Sequence, residues 1–211
     1  MSWIRTNMKP VKICVENPVF PIARIFEGHQ WELSGGTKQL CVLSAAFILA
    51  LNVDTVVEIG LWNGFSSRIL GNAIAANSRD GYLLSIDINP RAITRSKKAT
   101  ETLGITHEHL CIDSLEVDYQ KQLGKRTLDF AFIDGAHDYE HAMGDMSNCA
   151  KILKPYGIMA VHDYSKAAHP DVYAAVNDFV KSTQWPMFYL DENRESTDYR
   201  SAIIQKPGGY V

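Results

Sequence analysis

The chain has 211 residues, 46% of them hydrophobic and 21% charged, which suits one domain with a substantial core. Its formal charge of -3 and pI near 6.1 exclude the global basic field that draws nucleic acid or an anionic membrane. The most apolar run, "LCVLSAAFILALNV", is too short to cross a bilayer, and "MSWIRTNMKPVKICVENP" carries no apolar stretch ending in a cleavage site. A cytoplasmic protein with neither membrane nor nucleic-acid partner is therefore expected.

Residues 1–36, with the aromatic stretch "FPIARIFEGHQWELSGG", read as an irregular arm or cap. They can cover the strand ends or pack on a second copy of the chain as a homo-oligomer. Arg24, His29 and Trp31 in this segment are weak candidates for an acceptor pocket, since such aromatics more often anchor a segment to the core. Residues 37–211 read as a single domain. A helix is expected from about Thr37 to Asn52, then a strand "TVVEIG" from Thr55. Ser66 and Ser67 are placed to cap a helix running to about Ala76. "GYLLSID" from Gly81 is the second strand, and Asn89-Pro90 opens a helix to Leu103.

"HEHLCID" from His107 forms the third strand, where His107 and His109 share a face that reads as exposed. The run "RSKK" from Arg95 reads as the solvated side of its helix. "LDFAFID" from Leu128 is the fourth strand. Asp138 caps a helix with Ala142, Met146, Cys149 and Leu153 on one face, which Pro155 and Gly157 of "KPYG" should end. "GIMAVHD" from Gly157 is the fifth strand. A helix from Pro170 buries Val172, Val176, Phe179 and Val180, and "PMFYLD" and "YRSAIIQK" close the chain. Cys14, Cys41, Cys111 and Cys149 form no C-x-x-C pair, sit in or near apolar elements and read as free thiols of a reducing compartment.

Apolar bursts alternating with helical periods are the grammar of an α/β fold. Right-handed crossovers then give a Rossmann-like, doubly wound, seven-stranded and mostly parallel sheet with an antiparallel C-terminal hairpin strand. Ligands of such sheets bind beyond the carboxyl ends of the strands. An acid stands at the end of each of the first five strands: Glu58, Asp87, Asp113, Asp134 and Asp163. Gly60 and Gly64 let the first turn bend sharply and approach a ligand, and the following helix turns its N-terminus toward that ligand's carboxylate. Glu58 beside this turn is a poor neighbour for a pyrophosphate and suits a ligand with a cationic end. Asp87 can accept from both ribose hydroxyls, and Asp113 from an adenine amine. Together they describe S-adenosylmethionine. For Asp113 alone, a helix cap is an equally good reading.

"VVEIGLWNGFSS" and "LLSIDINP" resemble the first two motifs of the class I S-adenosylmethionine-dependent methyltransferases. "FIDGAHDYEHAMGDMSNCAKILKPYGIMAVHDY" is similar to the F-I-D-G-x-H-x-Y and H-D-Y pattern of a branch containing sugar and small-molecule O-methyltransferases. The resemblance spans about Thr55 to Tyr164; "KPYG" departs from the usual paired glycines, and Trp62-Asn63 fill positions often small. It implies that Gly60, Leu61, Trp62, Asn63, Gly64 and Ser66 hold the methionine moiety beside Glu58. It further implies ribose contacts from Asp87 with Ile88, and a place for Asp134 and His137 facing the transferred methyl. Asp113 and Ser114 complete the cofactor set.

Methyl transfer from a sulfonium is an in-line displacement that needs an aligned, deprotonated nucleophile. His137, just beyond the fourth strand, is the candidate base. It reads almost as well as a residue that merely starts the next helix. Asp134, His162 and Asp163 offer an alternative, a divalent ion such as Mg²⁺ or Mn²⁺. The resemblance implies such an ion at the ends of these two strands. His162 and Asp163 can both bind it only if the fifth strand has already ended. The predicted activity is O-methylation of a small-molecule or sugar acceptor. Rival readings are a nucleoside-binding protein without turnover and a nicotinamide-dependent oxidoreductase, the latter disfavoured by Glu58 and the missing third glycine.

Overall fold

The computed structural model describes residues 35–78, 80–191 and 199–208. Arg24, His29, Trp31, Cys14 and the proposed arm up to residue 34 lie outside them, and Gly35 and Gly36, counted with that arm, already belong to the first helix. The elements run α1 (Gly35–Ala50), β1 (Thr55–Ile59), α2 (Phe65–Asn77), β2 (Tyr82–Ile86), α3 (Pro90–Thr100), β3 (Thr106–Leu110), a 3-10 turn (Ser114–Glu116) and α4 (Tyr119–Leu123). They continue with β4 (Leu128–Ile133), α5 (Tyr139–Ile152), β5 (Leu153–Val161), α6 (Pro170–Thr183), β6 (Met187–Asp191) and β7 (Arg200–Gln205). Among the described residues no helix is long and apolar enough to cross a membrane.

The strands form one seven-stranded sheet in the order β3-β2-β1-β4-β5-β7-β6. β1 to β5 pair in parallel, and β7 runs antiparallel between β5 and β6. This is the expected doubly wound sheet with its hairpin. Both faces are covered, so alternate residues of one strand enter different cores. Val57, Ile59, Ala131, Ile133 and Val161 pack with Met146, Val176 and Phe179 of α5 and α6. Val56, Phe130, Phe132 and Ala160 pack with Leu40 and Ile48 of α1 and Ile69 of α2. Strand order reverses between β1 and β4, which opens a crevice beyond their carboxyl ends.

Several local expectations change. α2 is capped by Gly64 at φ 79, not by a serine. The turn before it holds Gly60 and Trp62 at positive φ as well, so it closes tightly enough to bury Ser66 and Ser67 inside the first helical turn. α5 ends at Ile152, and "KPY" belongs to β5. Leu153 is thus a strand residue, and the β4–β5 register shifts between Leu128 and Phe130 to absorb the excess residues. His107 and His109 are not on an exposed face, because α3 covers them and its Thr100 and Ser96 hydroxyls bond them. Ser96 of "RSKK" is fully buried. Cys111 is exposed, whereas Cys41 and Cys149 are buried.

Candidate active site

Backbone hydrogen bonds step the strand ends toward one another. The Gly60 N–H donates to Ile86 O (2.9 Å), the Asp134 N–H to Ile59 O (2.8 Å) and the His162 N–H to Ile133 O (2.9 Å). The loops that follow enclose a cavity of about 810 Å³. Gly60, Leu61, Trp62, Asp87, Ile88, Asp113, Ser114, Asp134, His137, His162 and Asp163 all line it. Gly60 has no room for a side chain: a Cβ there would overlap the Asp134 carbonyl. Only glycine lets the first turn lie against the fourth strand's end.

Asp87 organises the part of the cavity beyond β2. Its Oδ2 accepts from the Leu61 N–H (2.8 Å) and its Oδ1 from the Asn89 N–H (2.7 Å). Each oxygen keeps lone-pair capacity for a ribose hydroxyl. Asp113 does cap the 3-10 turn, accepting from Leu115 N–H at 2.9 Å. Its other oxygen lies 3.3 Å from His141 Nε2, which also lines the cavity. Glu58, Asn63, Gly64 and Ser66 are not in the wall. Glu58 is fully buried behind the turn, and burial pushes its carboxyl up to about 7 against the pull of the Ser66, Ser85 and Ser67 hydroxyls. The acid expected to face a cationic ligand therefore stands one layer back.

The opposite wall is built on Asp163. β5 ends at Val161, and Asp163 adopts φ 58, so the strand's alternation has stopped and Asp163 reaches the same centre as His162. Asp163 Oδ2 lies 2.8 Å from His137 Nε2 and 2.9 Å from His162 Nδ1, which is 3.1 Å from Asp134 Oδ1. The Asp163 bond raises His137 above the ordinary histidine range. Burial opposes charge on His162, but Asp134 and Asp163 outweigh it and raise the ring well above the ordinary histidine value. Burial likewise disfavours ionised Asp163, and the two histidines reverse that, keeping it well below the usual carboxylate range.

Asp134, His162 and Asp163 each present a ligand atom, all within 4.8 Å of one another, and so do His137, Asp163 and His169. Carboxylates and an imidazole at such separations fit a divalent ion. His169 and Tyr199 were not anticipated. The His169 ring sits 4.3 Å from that of His137 and its Nε2 is 2.7 Å from the Tyr199 hydroxyl. His169 merely precedes Pro170 and Tyr199 stands just before β7, so nothing local marks either as a site residue. Arg95, read as solvated, also reaches the cavity wall.

A family model described as a methyltransferase domain matches residues 57–164, just over half of the chain. The chain belongs to this methyltransferase family. Its fold is that of the class I S-adenosylmethionine-dependent enzymes, as solved structures show. The methyltransferase resembles an O-methyltransferase from Bacillus cereus, solved with S-adenosylhomocysteine, at 12% identity and a TM-score of 0.62, covering 88% of this chain and 90% of that one. It matches the O-methyltransferase TomG of Streptomyces achromogenes, solved with S-adenosylmethionine, at 16% and 0.62, covering 88% and 86%. An rRNA methylase from Streptococcus thermophilus shares the fold at 16% and 0.59, covering 78% and 95%. No curated protein matches the methyltransferase in sequence.

Proposed function

We propose that this methyltransferase transfers a methyl group to an oxygen of a small-molecule or sugar acceptor, working without a nucleic-acid partner. Gly60, Leu61 and Trp62 would hold the amino-acid end of S-adenosylmethionine, Asp87 and Ile88 the ribose, and Asp113 and Ser114 the adenine. Bound there, the cofactor supplies an electrophilic methyl on a cationic sulfur. The observation that carries the reading is the His137–Asp163 contact of 2.8 Å on the wall facing Asp87 across the same cavity.

His137 takes the acceptor's proton at Nδ1, the ring nitrogen that Asp163 leaves free, while Asp163 accepts from Nε2–H, fixes the ring and favours the imidazolium that results. Asp134, His162 and Asp163 would hold a divalent ion, which lowers the pKa of a bound hydroxyl. Acceptor selection is proposed to reside in residues 1–36 and in the chain around Asp163 and Tyr199. The first of these segments also serves, in this reading, as the surface for pairing of copies. The test is calorimetric titration with S-adenosylhomocysteine of the intact protein and of Asp87→Ala. A tenfold or greater weakening in the variant, about 1.4 kcal/mol, supports the assignment; absence of binding to the intact protein overturns it.

A further inference from the structure

Behind the glycine turn lies a continuous chain of polar groups that leads away from the cavity, toward the edge strand. Ser85 Oγ is 2.6 Å from Glu58 Oε2 and 2.8 Å from His107 Nε2. His107 Nδ1 is 2.9 Å from Thr100 Oγ1, whose hydroxyl donates to Ser96 O at 2.8 Å. Glu58 and Ser85 are fully buried, and His107 is half-buried on β3, the last strand of the sheet. Beside this chain Ser96 Oγ links Ser67 Oγ (2.8 Å) and His109 Nε2 (3.0 Å). Glu58 Oε1 has no partner of hydrogen-bond geometry among the described residues.

Counting hydrogens limits the states of this chain. Thr100 uses its hydrogen on Ser96, so it accepts from Nδ1–H of His107. A neutral His107 then offers Nε2 as an acceptor, and Ser85 must spend its one hydrogen there. Glu58 is then the donor to Ser85 and must be protonated. If Glu58 is ionised, Ser85 turns its hydrogen to the carboxylate, His107 must donate from Nε2, and Thr100 turns to donate to Nδ1. Two tautomers of His107 thus report two protonation states of Glu58.

We infer that Glu58, Ser85 and His107 form a proton-sharing relay through which binding of a ligand with a cationic end releases one proton. The proposal rests on the cofactor reading above, whose amino-acid end carries an ammonium. The Glu58 O–H bond breaks as Ser85 takes that hydrogen and passes its own to Nε2 of His107. The Nδ1 hydrogen of His107 goes to water at the sheet edge. Ionised Glu58, one layer behind the turn, then attracts the ammonium across Gly60. Other groups facing the relay set its balance. Burial, aided by Asp134, holds Glu58 near 7. Burial and the neighbouring His109 hold His107 down at about 3, and burial with Lys97 holds His109 at about 4. A neutral acid beside a neutral ring is therefore the resting state below neutrality, rather than an ion pair.

The relay is tested on the full chain by following the ring-nitrogen shifts of His107 in ¹⁵N-histidine-labelled protein from acid to alkaline pH. The expected result is a neutral ring whose hydrogen moves from Nδ1 to Nε2 around neutrality. Glu58→Gln and Ser85→Ala, which keep the fold's volume, should each hold a single tautomer throughout. One tautomer at every pH in the intact chain, or an unchanged transition in Glu58→Gln, overturns the relay. Coupling to the ligand is read by calorimetry near pH 7 in phosphate and in Tris, with S-adenosylhomocysteine and with methylthioadenosine, which lacks the ammonium. Proton release with the first ligand only, lost in Glu58→Gln, supports the coupling. Equal release with both ligands, or in both proteins, overturns it. If neither ligand binds the intact chain, the cofactor reading and the coupling fall together, while the tautomer measurement still judges the relay.

Discussion

His137 Nε2 stands 2.8 Å from Asp163 Oδ2, tying the loop after β4 to the residue where β5 has stopped being a strand. A carboxylate so placed selects the ring orientation and favours its protonated form, as an orienting partner does for a general base. Asp163→Asn is expected to lower methyl transfer about 10- to 100-fold, while His137→Ala lowers it by about 10² or more. Cofactor affinity should change little in His137→Ala. A rate in His137→Ala equal to that of the intact enzyme, measured with any accepted substrate, would remove His137 from the chemistry.

The cluster of Asp134, His162 and Asp163, with ligand atoms within 4.8 Å, leads to a second expectation. Saturating chelator should abolish most of the transfer, and Mn²⁺ or Mg²⁺ should restore it. Transfer that survives chelation unchanged would leave these residues a purely protein-internal ion-pair cluster.

Gly60→Ala tests the contact between the first turn and the fourth strand. The added methyl would overlap the Asp134 carbonyl, and Gly60 holds φ 86, a conformation that alanine adopts at a cost. The variant is expected to lose S-adenosylhomocysteine binding by tenfold or more and to unfold at lower denaturant. Wild-type affinity in calorimetry would show that the turn can move aside.

Asp145, nearly fully buried beneath Gly135, is pushed up to about 6 by burial, with the Ser114 hydroxyl pulling the other way. Its folded value lies above its unfolded one, so the fold binds the extra proton and this group's stabilising share is lost as pH rises from about 4 through about 6. Asp145→Asn should therefore gain stability relative to the intact protein across that window, reaching about 1–3 kcal/mol at neutral pH. Urea unfolding at pH 4 and pH 7 measures it; an equal difference at both would refute the assignment.

Asp129 anchors the far end of the sheet. Its Oδ2 accepts from the Asp54 and Thr55 N–H groups at 3.0 and 2.9 Å, and Lys154 pairs with its other oxygen. Asp129→Ala strands two amide donors and is expected to cost about 2–4 kcal/mol. Since the residue is remote from the cavity wall, the cofactor affinity of the folded variant should match that of the intact protein. Chemical denaturation and calorimetry on one preparation decide both points.

Local physical rules sufficed for much of this molecule. Apolar runs such as "TVVEI" and "LDFAFI" are buried on both faces in a parallel sheet, and that demand is visible in composition alone. Asn89-Pro90 and Asp138 start helices because a side-chain oxygen meets a free amide within a few residues. The acids at the strand ends were legible for the same reason, since strand length and direction place them. What needed the tertiary structure is everything decided by neighbours distant in the chain. Ser66 could be read as a cap, but Gly64 has that place and the tight turn buries the serine. Glu58 could be read as a ligand contact, but it falls inside β1, fully buried and bonded to Ser85 of the neighbouring strand. His107 and His109 could be read as exposed, but α3 folds over them. Tyr199 reaches the site only because β7 inserts beside β5, and His169 because the loop after β5 turns back on itself through the His169 N–H to Ser165 O bond. Period and punctuation act over a few residues, whereas the direction and protonation of a side chain depend on whatever the fold brings against it.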